Sequence, residues 1–98
     1  MDNRDKAQAI RTWVNPEERV TVDFDDERNL NAEVTACNEE VVELALETAF
    51  PHLRQEVSIP LGRLDIGEDS GKYTRDPDQP VRYGRLRLMV HQRRPQVL

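Results

Sequence analysis

The chain lacks several features by which whole classes of protein are recognised. It has one cysteine, Cys37, so an internal disulfide cannot form and a disulfide-stabilised secreted scaffold is excluded. No stretch approaches the roughly 18 apolar residues that a membrane span requires, and residues 1–5 hold no apolar core of an export signal. These absences predict a soluble, cytoplasmic protein with no membrane partner.

Groups that carry nucleophilic or acid–base chemistry are also scarce. The two histidines, His52 and His91, are far apart in sequence, and neither has the spacing to a carboxylate that would mark a base and its orienting partner. Cys37 is followed closely by Glu39 and Glu40, whose negative charges disfavour a thiolate, so we expect an inert thiol that fills apolar space. The sequence therefore predicts no catalytic residue, and an enzyme without a recognisable motif is the alternative with least support.

A metal site is not predicted either. Residues 23–27 begin like a calcium-binding loop, with acids at alternate positions. The sixth position is Arg28, where that loop needs glycine, and the twelfth is Val34, where it needs glutamate. We interpret these acids as the solvated face of a strand and predict no metal or other cofactor.

Charge is distributed unevenly along the 98 residues, whose formal net charge is −5. Residues 17–47 carry eleven acids against two arginines, whereas residues 81–98 carry five arginines and no acid. Two interpretations are open: the two segments lie side by side and neutralise each other, or the basic segment faces an anionic partner.

Residues 1–98 are expected to form one domain that begins with a short helix, over about residues 4–14. Ala7, Ile10 and Val14 recur at helical spacing, and Asn3 is placed to cap the helix. Pro16 disfavours helical geometry at the residue before it and so ends the helix.

From residue 19 the apolar period changes to two, which is typical of strands with one wet face. Residues 38–49 fit a helix as well as a strand, and we favour a strand because their neighbours are strands. Pro60 places its strand at an edge or a bulge of the sheet. The strands are predicted over about residues 19–25, 30–37, 41–47, 55–61 and 82–91.

The remaining segments are predicted to be irregular. Residues 67–80 hold two glycines, two prolines and four acids, which predicts a long surface loop, and residues 92–98 are expected to fray. The sequence as a whole predicts a mostly β fold: a small antiparallel barrel or rolled sheet of five to six strands with a short N-terminal helix.

The last predicted strand carries the strongest candidate for a ligand site. Side chains two residues apart lie on one side of a strand, so Tyr83, Arg85 and Arg87 form a row. One aromatic ring and two guanidinium groups suit a phosphate with a stacked base. The competing interpretation is that Arg85 and Arg87 pair with acids on neighbouring strands.

Residues 32–46, followed by residues 57–61, resemble the strand–turn–strand rhythm of PilZ domains, small β-barrels of which many bind cyclic di-GMP. The family's ligand motifs are Arg-x-x-x-Arg and an Asp/Asn-x-Ser-x-x-Gly turn, and this chain contains neither. Ala36, Asn38 and Val41 stand at the three defining places of the turn motif. The resemblance therefore implies a barrel and transfers no binding residue.

Two function classes follow from these patterns. The first is a non-enzymatic binding or protein-interaction module, whose partner is another protein or a second copy of itself, with pairing at the edge strand that carries Val57, Ile59 and Leu61. The alternative is nucleotide or nucleic-acid binding, including cyclic dinucleotides, through the row at residues 83–87. The net charge of −5 argues against a nucleic-acid partner.

Overall fold

A computed structural model describes residues 1–13, 19–68 and 83–96, and it confirms a mostly β fold with one N-terminal helix. The elements are α1 (Asn3–Trp13), β1 (Arg19–Asp23), β2 (Leu30–Cys37), β3 (Val41–Glu47), β4 (Arg54–Pro60), a 3-10 turn η1 (Leu61–Arg63), β5 (Leu64–Glu68) and β6 (Tyr83–Val90). The six strands form one open sheet in the order β4-β3-β2-β1-β6-β5.

Helix α1 begins one residue earlier than the sequence indicates. The Asp5 N–H donates to Asp2 Oδ1 at 2.8 Å, so Asp2, and not Asn3, caps the helix. Ala7 and Ile10 are fully buried, as their spacing predicts, whereas Val14 lies outside the described residues. Lys6 is also buried because its Nζ donates to the Leu61 carbonyl at 3.0 Å, which ties α1 to η1.

Strands β1 to β4 form a run of antiparallel hairpins. Residues 41–47 are a strand paired on both sides, so the strand interpretation of this segment is confirmed and the helical one is wrong. Thr35 is an extra residue in β2, where the pairing register with β3 shifts. This bulge turns Ala36 out to solvent and lets Cys37 pack on the core. Strict alternation along β2 would have placed Ala36 inside and Cys37 outside.

The structure contains a strand that the sequence analysis had not separated. Residues 64–68 form β5, so the predicted loop over residues 67–80 starts too early, and residues 69–80 lie outside the described part. Each hairpin reverses the chain direction, but η1 carries β4 into β5 without a reversal. Strand β6 then returns beside β5 and runs parallel to β1, so the sheet is mixed and not wholly antiparallel.

The short η1 connection forces the sheet to roll. Strands β4 and β5 are the two edges, five strand spacings apart, which is roughly 24 Å in a flat sheet. From Pro60 to Leu64 the chain makes four Cα–Cα steps, which span at most about 15 Å. The edges are therefore drawn together, although they do not pair among the described residues, so the sheet is rolled rather than closed into a barrel.

Rolling creates a single core on the concave side of the sheet. The alternating apolar side chains of all six strands, together with α1 and η1, form one cluster, and its largest fully buried members include Phe24, Leu44, Ile59 and Leu88. The opposite, convex face carries the polar residues of each strand. We call this the outer face.

Residues 92–96 follow β6 and are held against the rest of the molecule, so the expected fraying does not describe them. The Arg94 side chain is 17% exposed. Its backbone N–H donates to Asp26 Oδ1 at 2.7 Å, its Nε to Gln55 Oε1 at 3.0 Å, and its Nη1 to Glu27 Oε2 at 2.9 Å. One arginine thus links the β1–β2 turn to the start of β4.

Replacing Arg94 by methionine should lower the free energy of unfolding by about 1–3 kcal/mol, because several partly buried hydrogen bonds to charged groups are lost together. Urea denaturation of the variant measures the change. Arg93→Met is the matched control: the Arg93 side chain is 83% exposed and lies 3.6 Å from Asp26, so its effect should stay below about 0.5 kcal/mol. Equal effects of the two substitutions would contradict this role of Arg94.

Candidate functional site

Of the row predicted on the last strand, only the side chain of Arg87 lies within the described residues. Its Nη1 donates to Asp23 Oδ2 at 2.7 Å and to Asn29 Oδ1 at 3.1 Å. The side chains of Tyr83 and Arg85 lie outside the described part. The register between β1 and β6 also shifts between Arg19 and Thr21, opposite this row, so a regular alternation does not hold there. The row stays a prediction.

The acid that Arg87 contacts, Asp23, also organises the β1–β2 turn. Asp23 Oδ1 accepts the Asn29 N–H at 2.8 Å, and Asn29 has a φ of 59°, a left-handed conformation that asparagine tolerates better than most residues. Burial alone would raise the pKa of Asp23, but the Asn29 N–H and the Arg87 guanidinium hold it below its ordinary value. The three side chains act as one structural unit.

Because the folded-state pKa of Asp23 is lowered, its contribution to stability is present above the unfolded carboxyl pKa and is lost as the pH falls through the folded value. We expect Asp23→Asn to lower the free energy of unfolding by about 1–2 kcal/mol at pH 7. The difference from the native chain should shrink below roughly pH 4.

Denaturation curves between pH 2.5 and 7 measure this dependence. Asp25→Asn is the control, since Asp25 is exposed and its side chain accepts no hydrogen bond from any described residue. A difference for Asp23→Asn that does not change with pH would show that its carboxylate charge is not involved.

The uneven charge distribution is partly resolved by contacts between the two segments. Arg87, Arg93 and Arg94 pair with Asp23, Asp26 and Glu27 respectively. Hence the mutual-neutralisation interpretation is confirmed for these three arginines. Their guanidinium groups contact acids of the same molecule.

Arg19, which the sequence pattern does not single out, also pairs with acids on the outer face. Arg19 bridges Glu33, at 3.2 Å from its Nη1, and Glu47, at 3.5 Å from its Nε. Val20 pairs with Ala32 in the β1–β2 register, and Arg19 and Glu33 are the next residues on the two strands, so hairpin register is the signal that could have found this contact. The charges of β1, β2 and β3 are therefore linked across the outer face.

The thiolate of Cys37 is disfavoured for a different reason from the one that the sequence suggests. Burial raises the pKa of its thiol, and the nearby Arg11 offsets this only in part. Desolvation, more than the neighbouring glutamates, therefore disfavours the thiolate.

His91 has a carboxylate partner that sequence spacing did not reveal. Its Nε2 lies 2.7 Å from Asp65 Oδ2, because the two residues sit near each other where β6 ends and β5 begins. The hydrogen bond to His91 lowers the pKa of Asp65. Within residues 1–13, 19–68 and 83–96, no hydroxyl or thiol is hydrogen-bonded to His91, so the pair lacks a nucleophile. No group of His, Cys, Asp and Glu in these ranges could hold a metal ion.

The edge of β4 carries backbone N–H and C=O groups that have no hydrogen-bond partner among the described residues. The Leu61 N–H donates to the Glu40 carbonyl at 2.9 Å, so this pair is hydrogen-bonded and so is every second pair back along β4. The intervening positions direct their backbone N–H and C=O groups away from β3, toward an edge that no described strand occupies. These positions are Arg54, Glu56, Ser58 and Pro60.

The alternation of backbone groups that point toward β3 and away from it explains why β4 tolerates a proline. Pro60 stands at a position whose N–H would point away from β3, so its missing donor costs the sheet no hydrogen bond. The prediction of an edge strand is therefore confirmed. The apolar side chains assigned to that edge, Val57, Ile59 and Leu61, are buried in the core instead, so only the backbone and the alternate polar side chains face outward.

An apolar tip, which the sequence pattern does not single out, projects beside this edge. Phe50 is 65% exposed and Leu53 is 58% exposed. The Thr48 hydroxyl is shared between the carbonyls of both residues, at 3.1 and 3.0 Å, and the Leu53 N–H donates to the Phe50 carbonyl at 3.0 Å. These bonds fix the backbone of the β3–β4 turn, which presents two large apolar side chains to solvent.

A shallow depression of about 230 Å³ on the outer face adjoins the edge. It is lined by Thr35, Glu43, Leu44, Glu56, Val57 and Ser58. Neither Glu43 nor Glu56 forms an ion pair with another described residue, and both are exposed. We define the β4 surface as the outward positions of β4 together with Phe50 and Leu53.

Comparison with known proteins finds no relative of this chain. No family model matches the chain, and neither a curated protein nor a solved structure matches it. The resemblance to PilZ domains therefore stays a prediction. In the part of the chain that the structure describes, no helix combines the length and apolar character needed to cross a membrane.

Proposed function

We propose that this protein is a non-enzymatic protein-interaction module, and that its binding site is the β4 surface. The observation that carries the proposal is the row of outward backbone groups along β4, which have no partner among the described residues. An exposed edge strand is a template for an added strand, and main-chain hydrogen bonds then supply much of the affinity.

The apolar tip supports the same site. Phe50 and Leu53 are the two exposed large apolar residues beside the start of β4, and the turn that carries them is fixed by the Thr48 hydroxyl. A turn whose backbone is already fixed loses little conformational entropy on binding. A partner strand on β4 would cover them.

We favour protein binding at the β4 surface over nucleotide binding at the C-terminal strand β6. Arg87, whose side chain is described, already donates to Asp23 and Asn29, so a phosphate would have to displace both contacts. We also keep the cytoplasm as the proposed location, which is compatible with Cys37 as a free thiol.

Substituting proline for Ser58 tests the proposal. The change removes one outward N–H and no hydrogen bond to β3, as Pro60 already does in the same strand. Heptapeptides selected from a random display library on the full-length chain should bind the Ser58→Pro variant at least about tenfold more weakly, because a main-chain bond is lost and the edge is blocked. Fluorescence anisotropy of labelled peptides measures the change.

Glu68→Pro is the matched control, because Glu68 stands at an outward position of β5, the other edge of the sheet. Binding by this variant should be unchanged. Amide hydrogen exchange provides a second measurement on the native chain: bound peptide should protect the N–H groups of Glu56 and Ser58. The proposal would be overturned if the selected peptides bound the Ser58→Pro variant with unchanged affinity and left these amides unprotected.

A further inference from the structure

We propose that the strand added to β4 is the β4 strand of a second copy of this chain, in an antiparallel two-fold arrangement centred on Gln55. This inference rests on the proposed function and names the partner. A two-fold axis perpendicular to the sheet keeps both outer faces on one side, so the polar side chains of the two strands lie next to each other.

The backbone restricts how two β4 strands can pair. Only outward positions can exchange hydrogen bonds with outward positions of the other copy, so the register changes in steps of two residues along the partner. Centring on Gln55, which itself bonds toward β3, places Arg54 of each copy opposite Glu56 of the other.

Charge selects this register from its neighbours. Arg54 and Glu56 are exposed, and neither forms an ion pair with a described residue; the Arg54 guanidinium donates only to backbone carbonyls, with Pro51 at 3.2 Å. The chosen register forms two cross-strand Arg–Glu pairs. A shift of one step places Glu56 opposite Glu56, or Arg54 opposite Arg54, and so sets like charges on the axis.

A larger shift is disfavoured by the proline. Two steps toward the C-terminal end of β4 would place Pro60 opposite Arg54 of the other copy, where the missing N–H removes a hydrogen bond at each end of the interface. Pro60 therefore limits the length of the pairing as well as its register.

The apolar tip lies at each end of the same arrangement. Leu53 directly precedes β4 and stands two residues before Gln55, so the register brings it next to Val57 of the other copy. The β3–β4 turn that carries Phe50 therefore adjoins the partner strand at each end of the pairing. The β4 surface is in this sense self-complementary in hydrogen bonds and charge, with an exposed apolar residue at each end.

Sedimentation equilibrium of the full chain from about 1 μM to 1 mM tests the inference. We expect a concentration-dependent dimer mass. Arg54→Glu and Glu56→Arg should each raise the dissociation constant of the dimer by about tenfold or more, since each creates two like-charge pairs. The double variant, R54E with E56R, should restore dimerisation because it re-forms both pairs with reversed polarity.

Glu68→Arg changes the same charge at the other edge of the sheet and should leave the dimer unaffected. Amide NMR spectra of each variant verify that the exposed substitutions preserve the fold. A monomer at all concentrations, or a dimer that the double variant does not rescue, would overturn the second-copy assignment. If selected peptides still bind in a Ser58-dependent manner, the proposed function stands without it; if they do not, both fail.

Discussion

The architecture depends on the three-residue connection between the two edges of the sheet. A link as short as η1 cannot span a flat six-stranded sheet, so the sheet must curl until its edges approach. Curling gives every strand a shared concave side, and the 11-residue helix packs Ala7 and Ile10 against the core that forms there. The buried contact between Lys6 and the Leu61 carbonyl fixes that helix to the connection itself.

The same connection decides which surfaces face outward. Because η1 continues β4 into β5 without reversing the chain, β6 must return between β5 and β1, and two strands remain as edges. Of these, β4 is the longer, and it is flanked by an apolar tip. Polar residues on the outer face near β1 form ion pairs within the molecule, whereas Arg54 and Glu56 at the β4 edge form no ion pair with any described residue. The proposed binding site therefore lies where exposed charged residues have no ion-pair partner among the described residues.

Local patterning predicted much of this fold. The strands on either side identified residues 41–47 as a strand that helix propensity alone would have missed, and Pro60 identified an edge. The bulge at Thr35, the parallel β1–β6 pair and the His91–Asp65 contact depend on which strands become neighbours, and short-range periodicity does not contain that information. The candidate site was predicted only in part: its strand was correct, but the exposed tip at Phe50 and Leu53 required the geometry of the turn.

The central place of β6 has a consequence for biosynthesis. Among the described strands, β5 pairs with β6 alone and β1 has β6 as its second neighbour, yet β6 is translated after both. While the nascent chain is still emerging from the ribosome, the hairpins β1 to β4 can assemble, but β5 has no strand to join. The vectorial order of synthesis therefore leaves the apolar side chains of β5, Leu64 and Ile66, without their sheet partner until β6 leaves the exit tunnel, a window in which a chaperone could act.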